Sequence, residues 1–143
     1  MKYLAVDYGQ KRVGLALGDE ITNFAYPNGL ILRKTKEFFW REFIKILNQE
    51  RPDAIILGLP LHQDGSECLA TRQCLNFAAA LKRRNGLPIF LINELLTSFE
   101  AEQDLNQVGL SPAKMKMALD QQAAVKIMQT FLAQPLTKRT PYV

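Results

Sequence analysis

Short apolar runs separated by turn residues open the chain. Two runs, residues 2–7 and 12–17, flank a turn that begins after Asp7, and the second is rich in glycine and small apolar residues. A third run, residues 24–32, contains a proline and a glycine, which an irregular edge strand tolerates. The pattern predicts strand, turn, strand and then a third strand, arranged as an antiparallel meander.

From residue 35 onward, apolar residues at helical spacing alternate with short continuous apolar runs. The runs 54–57 and 88–92 are typical of parallel strands covered on both faces. Polar caps and chain breakers bound four predicted helices: from Thr35 to Pro52, over 67–84, from Thr97 or Ser98 through Gln107, and from Ser111-Pro112 onward. The whole pattern predicts an α/β fold, with a mixed five-stranded sheet (a three-strand antiparallel meander plus two parallel strands) flanked by helices.

The composition is that of one ordinary globular domain, with 143 residues, 48% hydrophobic and 22% charged. We predict a domain over residues 1–134 and a flexible C-terminal tail over 135–143, where two prolines stand. No apolar run approaches the roughly 18 residues that cross a bilayer, and the N-terminal run is too short for a signal peptide. We therefore expect a cytoplasmic protein with no membrane partner.

The net charge of +4 and a pI near 9.2 are mild indications of a polyanionic partner. Basic residues cluster in five short groups, of which only Lys11-Arg12 lies beside a candidate catalytic residue. The other groups are more often solvated faces than binding surfaces. Cys68 and Cys74 are not expected to pair, because a separation of six on a helix points them apart, and their spacing is not that of a zinc site.

Three acids stand out by position. Asp7 ends the first strand and Glu94 follows the fifth, so both are predicted at the carboxyl edge of the sheet, where ligands bind in open α/β folds. Asp120 shares a helical face with apolar residues such as Ala123 and Ile127, and an ionised carboxylate on a buried face needs a cation. That cation is either a lysine or arginine, or a metal ion shared with Asp7 and Glu94.

Three carboxylates at one point repel one another and have raised pKa values unless a cation binds there. Mg²⁺ and Mn²⁺ prefer such oxygen ligands, and Mg²⁺ commonly adds substrate phosphate oxygens and water. Two ions about 4 Å apart can activate a water molecule and stabilise the departing oxygen of a phosphodiester. The acids therefore predict phosphodiester hydrolysis with Mg²⁺ or Mn²⁺ as cofactor.

Three segments carry specific motifs of one known family. Asp7-Tyr8-Gly9-Gln10-Lys11-Arg12-Val13-Gly14-Leu15-Ala16 is similar to the opening D-x-G-x-K-R-x-G-x-A, residues 58–67 are similar to G-L-P-x followed by D-G-[ST]-E, and residues 120–124 are similar to D-x-x-A-A. Nearly end to end, the chain resembles the YqgF/RuvX family of ribonuclease H-like proteins, described as Holliday junction resolvases or pre-16S rRNA nucleases. The resemblance implies a ribonuclease H-like fold in which Asp7, Glu94 and Asp120 are metal-binding catalytic acids.

One segment departs from the family pattern. The usual D-E-R-[LF]-[ST]-[ST] stands here as residues 93–98 with Leu95 at the arginine position, and leucine cannot hold a phosphate as arginine does. Lys11 and Arg12, on the turn next to Asp7, become the expected phosphate contacts. Further candidate substrate contacts are Asp64, Ser66 and Thr97, although an ordinary turn or a helix cap also explains these three.

We therefore predict a metal-dependent endonuclease that acts on structured nucleic acid. The resemblance favours the 5′ end of pre-16S rRNA as substrate, with branched DNA such as a Holliday junction second. The replacement at Leu95 motivates the alternative, a catalytically weak nucleic-acid-binding ribosome assembly factor. We expect a monomer or a weak homodimer.

Overall fold

The computed structural model describes residues 1–94 and 112–142, with side chains for 1–94 and 121–142. Within these ranges no helix is both long enough and apolar enough to cross a membrane. The predicted helix from Thr97 or Ser98 through Gln107 lies outside them. The described elements are β1 (Lys2–Tyr8), β2 (Arg12–Asp19), β3 (Ala25–Leu32), α1 (Lys36–Glu50), β4 (Ala54–Leu59), α2 (Leu69–Arg84), β5 (Ile89–Asn93), α3 (Pro112–Ala133), a 3₁₀ turn (Leu136–Lys138) and β6 (Thr140–Pro141).

The strands form one mixed sheet in the order β3-β2-β1-β4-β5-β6. The predicted meander is confirmed, since β1 pairs antiparallel with β2 and β2 with β3. β4 lies parallel between β1 and β5, as the continuous apolar runs predicted. The five-strand prediction was short by one strand, because β6 pairs antiparallel with β5. β6 has only two residues, too few to show a hydrophobic period, and its proline is tolerated at the sheet edge.

Alternate residues of β1 face different helices. Leu4 and Val6 pack in an apolar cluster with the aromatic side chains of α1 and α2. Tyr3 and Ala5 pack in a second cluster with α3, which contributes residues such as Ile127. Side chains alternate along a strand, so Asp7 belongs to the α3 face and Tyr8 to the face of α1 and α2.

The predicted start of α1 is confirmed. The Thr35 hydroxyl oxygen accepts a hydrogen bond from the Phe38 amide at 3.0 Å, which satisfies one unpaired donor of the first turn. The helix ends where Arg51 adopts a left-handed conformation, directly before Pro52. α2 begins at Leu69 rather than 67, because Cys68 is the cap residue and its amide donates to the Thr71 hydroxyl at 3.0 Å.

The segment predicted as a flexible tail contacts the domain at several points. The Arg139 guanidinium binds both carboxylate oxygens of Glu20, and one of these contacts is 3.1 Å long. The Tyr3 hydroxyl donates to the same carboxylate at 3.0 Å. The Tyr142 amide donates to the Ile89 carbonyl oxygen at 2.7 Å. The described part of the segment therefore joins the sheet, while its mobility in solution stays a prediction.

Candidate active site

Main-chain pairing places Asp7 and Glu94 at one edge of the sheet. Asp7 lies near the end of β1, opposite Gly14 of β2. Glu94 follows β5 directly, and its amide donates to the Leu59 carbonyl oxygen of β4 at 3.1 Å. Because β1, β4 and β5 are parallel, their carboxyl ends meet at this edge.

The two carboxyl groups contact each other. They share a side-chain hydrogen bond, and the pKa of Glu94 is raised from its ordinary 4.5 to about 9. Burial is the largest cause, followed by the charge of Asp7 and by the hydrogen bond. Without a bound cation, Glu94 therefore stays protonated at neutral pH. Its hydroxyl donates a hydrogen bond to the Asp7 carboxylate.

Gly58 of β4 makes the contact between these acids possible. A Cβ atom at this position would lie 2.5 Å from Glu94 Oε1 and would also collide with the Ile127 side chain of α3. The missing side chain lets the Glu94 carboxyl lie over β4, between its own strand and Asp7. The predicted strand ended at residue 57, so the sequence pattern missed this role of Gly58. The available signal was a glycine at the end of a buried strand whose neighbours both end in acids.

Cys74 is a buried neighbour of the acids. The pKa of its thiol is raised to about 12, first by burial and then by the charges of Glu94 and Asp7. Without a bound metal ion the thiol therefore stays protonated. Cys68 and Cys74 are both free, as expected from their spacing.

The turn after Asp7 holds Lys11 and Arg12 next to the acids in sequence. The Gly9 amide donates to the Asp7 carbonyl oxygen at 3.1 Å and to the Arg12 carbonyl oxygen at 3.0 Å. A Cβ atom on Gly9 would lie 2.5 Å from that Arg12 oxygen, so the tight turn needs glycine. Lys11 is exposed on this turn and Arg12 begins β2.

Asp64 and Ser66 lie in an exposed turn before α2. Asp64 Oδ1 accepts from the Ser66 amide at 2.9 Å and from the Ser66 hydroxyl at 2.6 Å. These hydrogen bonds hold the pKa of Asp64 below its usual value, and the one from the Ser66 hydroxyl has the larger effect. Gly65 between them has a φ of 88°. An ordinary turn accounts for this geometry, and substrate contact by either residue stays a prediction.

Two predicted site residues, Asp120 and Thr97, have side chains outside the described set. Asp120 belongs to α3, but its side chain lies outside the described residues, as does the whole of Thr97. The predicted buried face of α3 is confirmed for Ala123 and Ile127. The two explanations given above for Asp120 both stay open.

The residues at this edge suit a hard divalent cation. Two carboxyl groups in contact present oxygen ligands only. Any residue other than glycine at position 58 would place a Cβ atom in the space that the Glu94 carboxyl group occupies. Among the described side chains, no group of three or more possible metal ligands is found.

A mixed sheet with a parallel centre, helices on both faces and half-buried acids at its carboxyl edge defines the class of ribonuclease H-like nucleases. Solved structures of similar fold are "T. thermophilus RuvC in complex with Holliday junction substrate" (TM-score 0.61, 16% identity, 99% of each chain) and Fowlpox virus resolvase with "substrate Holliday junction DNA" (TM-score 0.56, 13% identity, 94% of this chain and 100% of that one). At these identities the likeness concerns the fold.

The chain belongs to the RuvX family, described as "Holliday junction resolvase", which residues 1–134 match. A relative from Nitratidesulfovibrio vulgaris (strain DSM 19637 / Miyazaki F) is 46% identical over 141 residues, 99% of both chains. One from Lawsonia intracellularis is 45% identical over 139 residues, 97% of this chain and 98% of that one. Both carry the name "Putative pre-16S rRNA nuclease". The family resemblance and the ribonuclease H-like fold predicted from the sequence are thus confirmed.

Proposed function

We propose that this protein is a metal-dependent nuclease that hydrolyses phosphodiester bonds in structured nucleic acid, with the 5′ end of pre-16S rRNA as its substrate. The names of its relatives support the RNA substrate, and a four-way DNA junction, the substrate bound in the two similar structures, is the second candidate. The single observation that carries the proposal is the half-buried contact between Asp7 and Glu94.

The contact supports metal binding because it is unfavourable without a cation. Two half-buried carboxyl groups in contact resist ionising together, and the raised pKa of Glu94 records that conflict. Mg²⁺ or Mn²⁺, when bound, supplies an activated water and neutralises charge on the phosphate. Asp7 and Glu94 hold the cation in this proposal. Asp120 is the third ligand, because it precedes Ile127 by seven residues, about two helical turns, and Ile127 packs over Gly58.

The turn after Asp7 supplies the proposed phosphate contacts. Lys11 and Arg12 follow the acid within five residues and carry the positive charge nearest to it in sequence. Backbone phosphates and shape, rather than base edges, are what such a rim recognises in structured RNA. Asp64, Ser66 and Thr97 remain candidate contacts to sugar or phosphate. We further propose that the protein acts in the cytoplasm, without a membrane partner, as a monomer or weak homodimer.

Cleavage of a precursor 16S rRNA fragment and of a four-way DNA junction, each with Mg²⁺, Mn²⁺ or EDTA, tests the proposal. We expect metal-dependent RNA cleavage by the wild type and a loss of at least about 100-fold in Asp7→Asn, because a ligand charge is removed. Glu42→Gln, which removes a half-exposed carboxylate of α1 that pairs with Lys45, should cleave as the wild type does. Cleavage in EDTA, or an unchanged rate in Asp7→Asn, would contradict the proposal.

The sequence at Leu95 favours one second candidate, a ribosome assembly factor that binds nucleic acid with little catalysis. Leucine there lacks the bidentate phosphate grip of the family arginine. Equal RNA binding by the wild type and Asp7→Asn, with no cleavage by either at any metal concentration, would establish this candidate and exclude the nuclease.

A further inference from the structure

A cleft of about 520 Å³ opens between α1 and α2, on the opposite face of the sheet from Asp7 and Glu94. Two basic groups that lie about fifty residues apart in the chain meet around it. Sequence reasoning favoured solvated faces for both groups. We call it the basic cleft, after the five cations that line it: Arg33, Lys34, Lys36, Arg83 and Arg84.

Within the described residues, no acid balances the positive charge of the basic cleft. No acid is among the described residues that line it. None of the five cations forms an ion pair with any residue of the described ranges. A concave surface with one sign of charge concentrates the field and attracts polyanions. Its volume falls in the usual range of ligand sites, about 300–1,000 Å³.

Aromatic rings lie among these cations. Trp40 lines the cleft, and the Arg84 guanidinium lies 4.1 Å from the centre of its ring. The Arg33 guanidinium lies 4.4 Å from the ring centre of Tyr8, which also lines the cleft. Phosphate-binding cations interleaved with aromatic and guanidinium stacking surfaces are the combination that single-stranded nucleic acid needs.

Two features connect the cleft to the acids: the adjacent residues Asp7 and Tyr8, and the turn that follows them. Tyr8 follows Asp7 directly, so the two side chains point to opposite faces of β1 at its carboxyl end. Arg33 Nη1 donates to the Gly9 carbonyl oxygen at 2.9 Å, and the Arg33 amide donates to the Lys11 carbonyl oxygen at 2.9 Å. The turn that carries Lys11 is thereby fixed to the wall of the cleft. A strand held at the acids can pass this turn and enter the cleft.

We propose that the basic cleft binds a single-stranded segment of the nucleic acid, adjacent to the phosphodiester held at the acids. This assignment rests on the proposed nuclease function. Lys36 and Arg83 contact phosphates, and the Arg84–Trp40 pair stacks against a base. Arg33 positions the turn between the two sites. Substrate with an unpaired extension is therefore bound more tightly than a fully paired duplex.

Fluorescence anisotropy of a short labelled single-stranded RNA, titrated at several salt concentrations in EDTA, tests the assignment. Lys36→Gln should reduce the slope of log affinity against log salt by about 0.7, the value for one phosphate contact on a single strand. Lys45→Gln is the matched control, because it removes the same charge from the same helix away from the cleft. Arg83→Gln should behave as Lys36→Gln does. Equal slopes in all three variants would overturn the assignment.

Trp40, the only tryptophan of the chain, gives a second readout. We expect its emission to change when the RNA binds the wild type and to stay constant in Arg83→Gln/Arg84→Gln at the same RNA concentration. Asp7→Asn should keep both the emission change and the salt slope without metal. If the wild type with Mg²⁺ or Mn²⁺ then fails to cleave, the nuclease is rejected while the cleft stays assigned. If the wild type cleaves the RNA but Trp40 emission does not change on RNA binding, the cleft assignment is rejected and the nuclease function stands.

A mononucleotide competitor separates a strand site from a small-molecule site. Adenosine monophosphate carries one phosphate and one base, whereas a strand engages several cations at once. We expect it to displace the RNA only at concentrations at least about 100-fold above the RNA dissociation constant, since it makes only some of the phosphate contacts. Displacement at equal concentration would identify a nucleotide site and overturn the assignment.

Discussion

Gly58 lies where two side chains, those of Glu94 and Ile127, fill the space that a Cβ atom would need. Its alanine variant would push a methyl group to 2.5 Å from Glu94 Oε1 and against Ile127, so the carboxyl group must leave Asp7 or α3 must shift. Overpacking of this kind destabilises by about 1–3 kcal/mol. We expect Gly58→Ala to lower the free energy of unfolding by that amount in urea and to weaken Mn²⁺ binding at least about 10-fold by calorimetry. Gly86→Ala, where nothing lies within 4 Å, is the control and should change neither.

The proton on Glu94 couples folding to pH. The unfolded chain loses this proton near 4.5, whereas the metal-free native state holds it to about 9. Between these values the native state binds more protons, so the free energy of unfolding falls as pH rises, by at most about 1.4 kcal/mol per pH unit. In EDTA we expect the urea midpoint of the wild type to decrease from pH 6 to pH 8 more steeply than that of Glu94→Gln, which mimics the protonated acid. Parallel curves for the two proteins would contradict this assignment of the proton.

For the strands, the sequence pattern predicted which segments form buried strands but not where strand pairing ends. Continuous apolar runs identified β4 and β5 as parallel buried strands, and their shared direction brought Asp7 and Glu94 to one edge. The end of β4 was wrong: the prediction stopped at Leu57, whereas Gly58 and Leu59 continue the ladder opposite Ile92 and Asn93. A glycine carries no hydrophobic signal, so its place in the strand became visible only through the partner strand.

Contacts between helices were likewise beyond the sequence pattern. The basic groups at residues 33–36 and 82–84 resemble ordinary solvated ends of elements. Only the packing of α1 beside α2 brings them to one cleft, and that packing depends on aromatic contacts such as Phe39 with Phe77. The periodicity of each helix alone reveals its buried face but not the neighbour that covers it.

The Thr35 cap gives a prediction for one element. Its hydroxyl is the acceptor for the Phe38 amide in the first turn of α1, so Thr35→Ala leaves that donor to water. We expect the free energy of unfolding to fall by about 1 kcal/mol in urea denaturation. Thr35→Ser keeps the acceptor and should recover most of that loss. Equal destabilisation by both substitutions would show that the methyl group, rather than the cap bond, matters.

Across the whole molecule, the sheet separates two kinds of charge. The acids occupy its α3 face at the carboxyl edge, and the basic cleft occupies the face of α1 and α2 at the same end. The two faces communicate through the end of β1 and the turn that follows it. Among the described residues, the five cations of the cleft thus lie at the same end of the sheet as the acids, where a polyanion must approach two carboxyl groups. Attraction at one face offsets repulsion at the other.

The two ends of the chain are also tied together, through Arg139 and Glu20. The Arg139 side chain is 6% exposed and the Glu20 side chain 33%, and the guanidinium holds the pKa of Glu20 below its usual value. A partly buried bidentate pair is worth more than a surface pair, so we expect a coupling of about 1–3 kcal/mol from the double-mutant cycle of Glu20→Gln and Arg139→Gln. The pair Lys45–Glu42, whose lysine side chain is 68% exposed, is the control and should give at most about 0.5 kcal/mol. A coupling for Arg139–Glu20 no larger than the control would show that residues 135–142 are held to the sheet by other contacts.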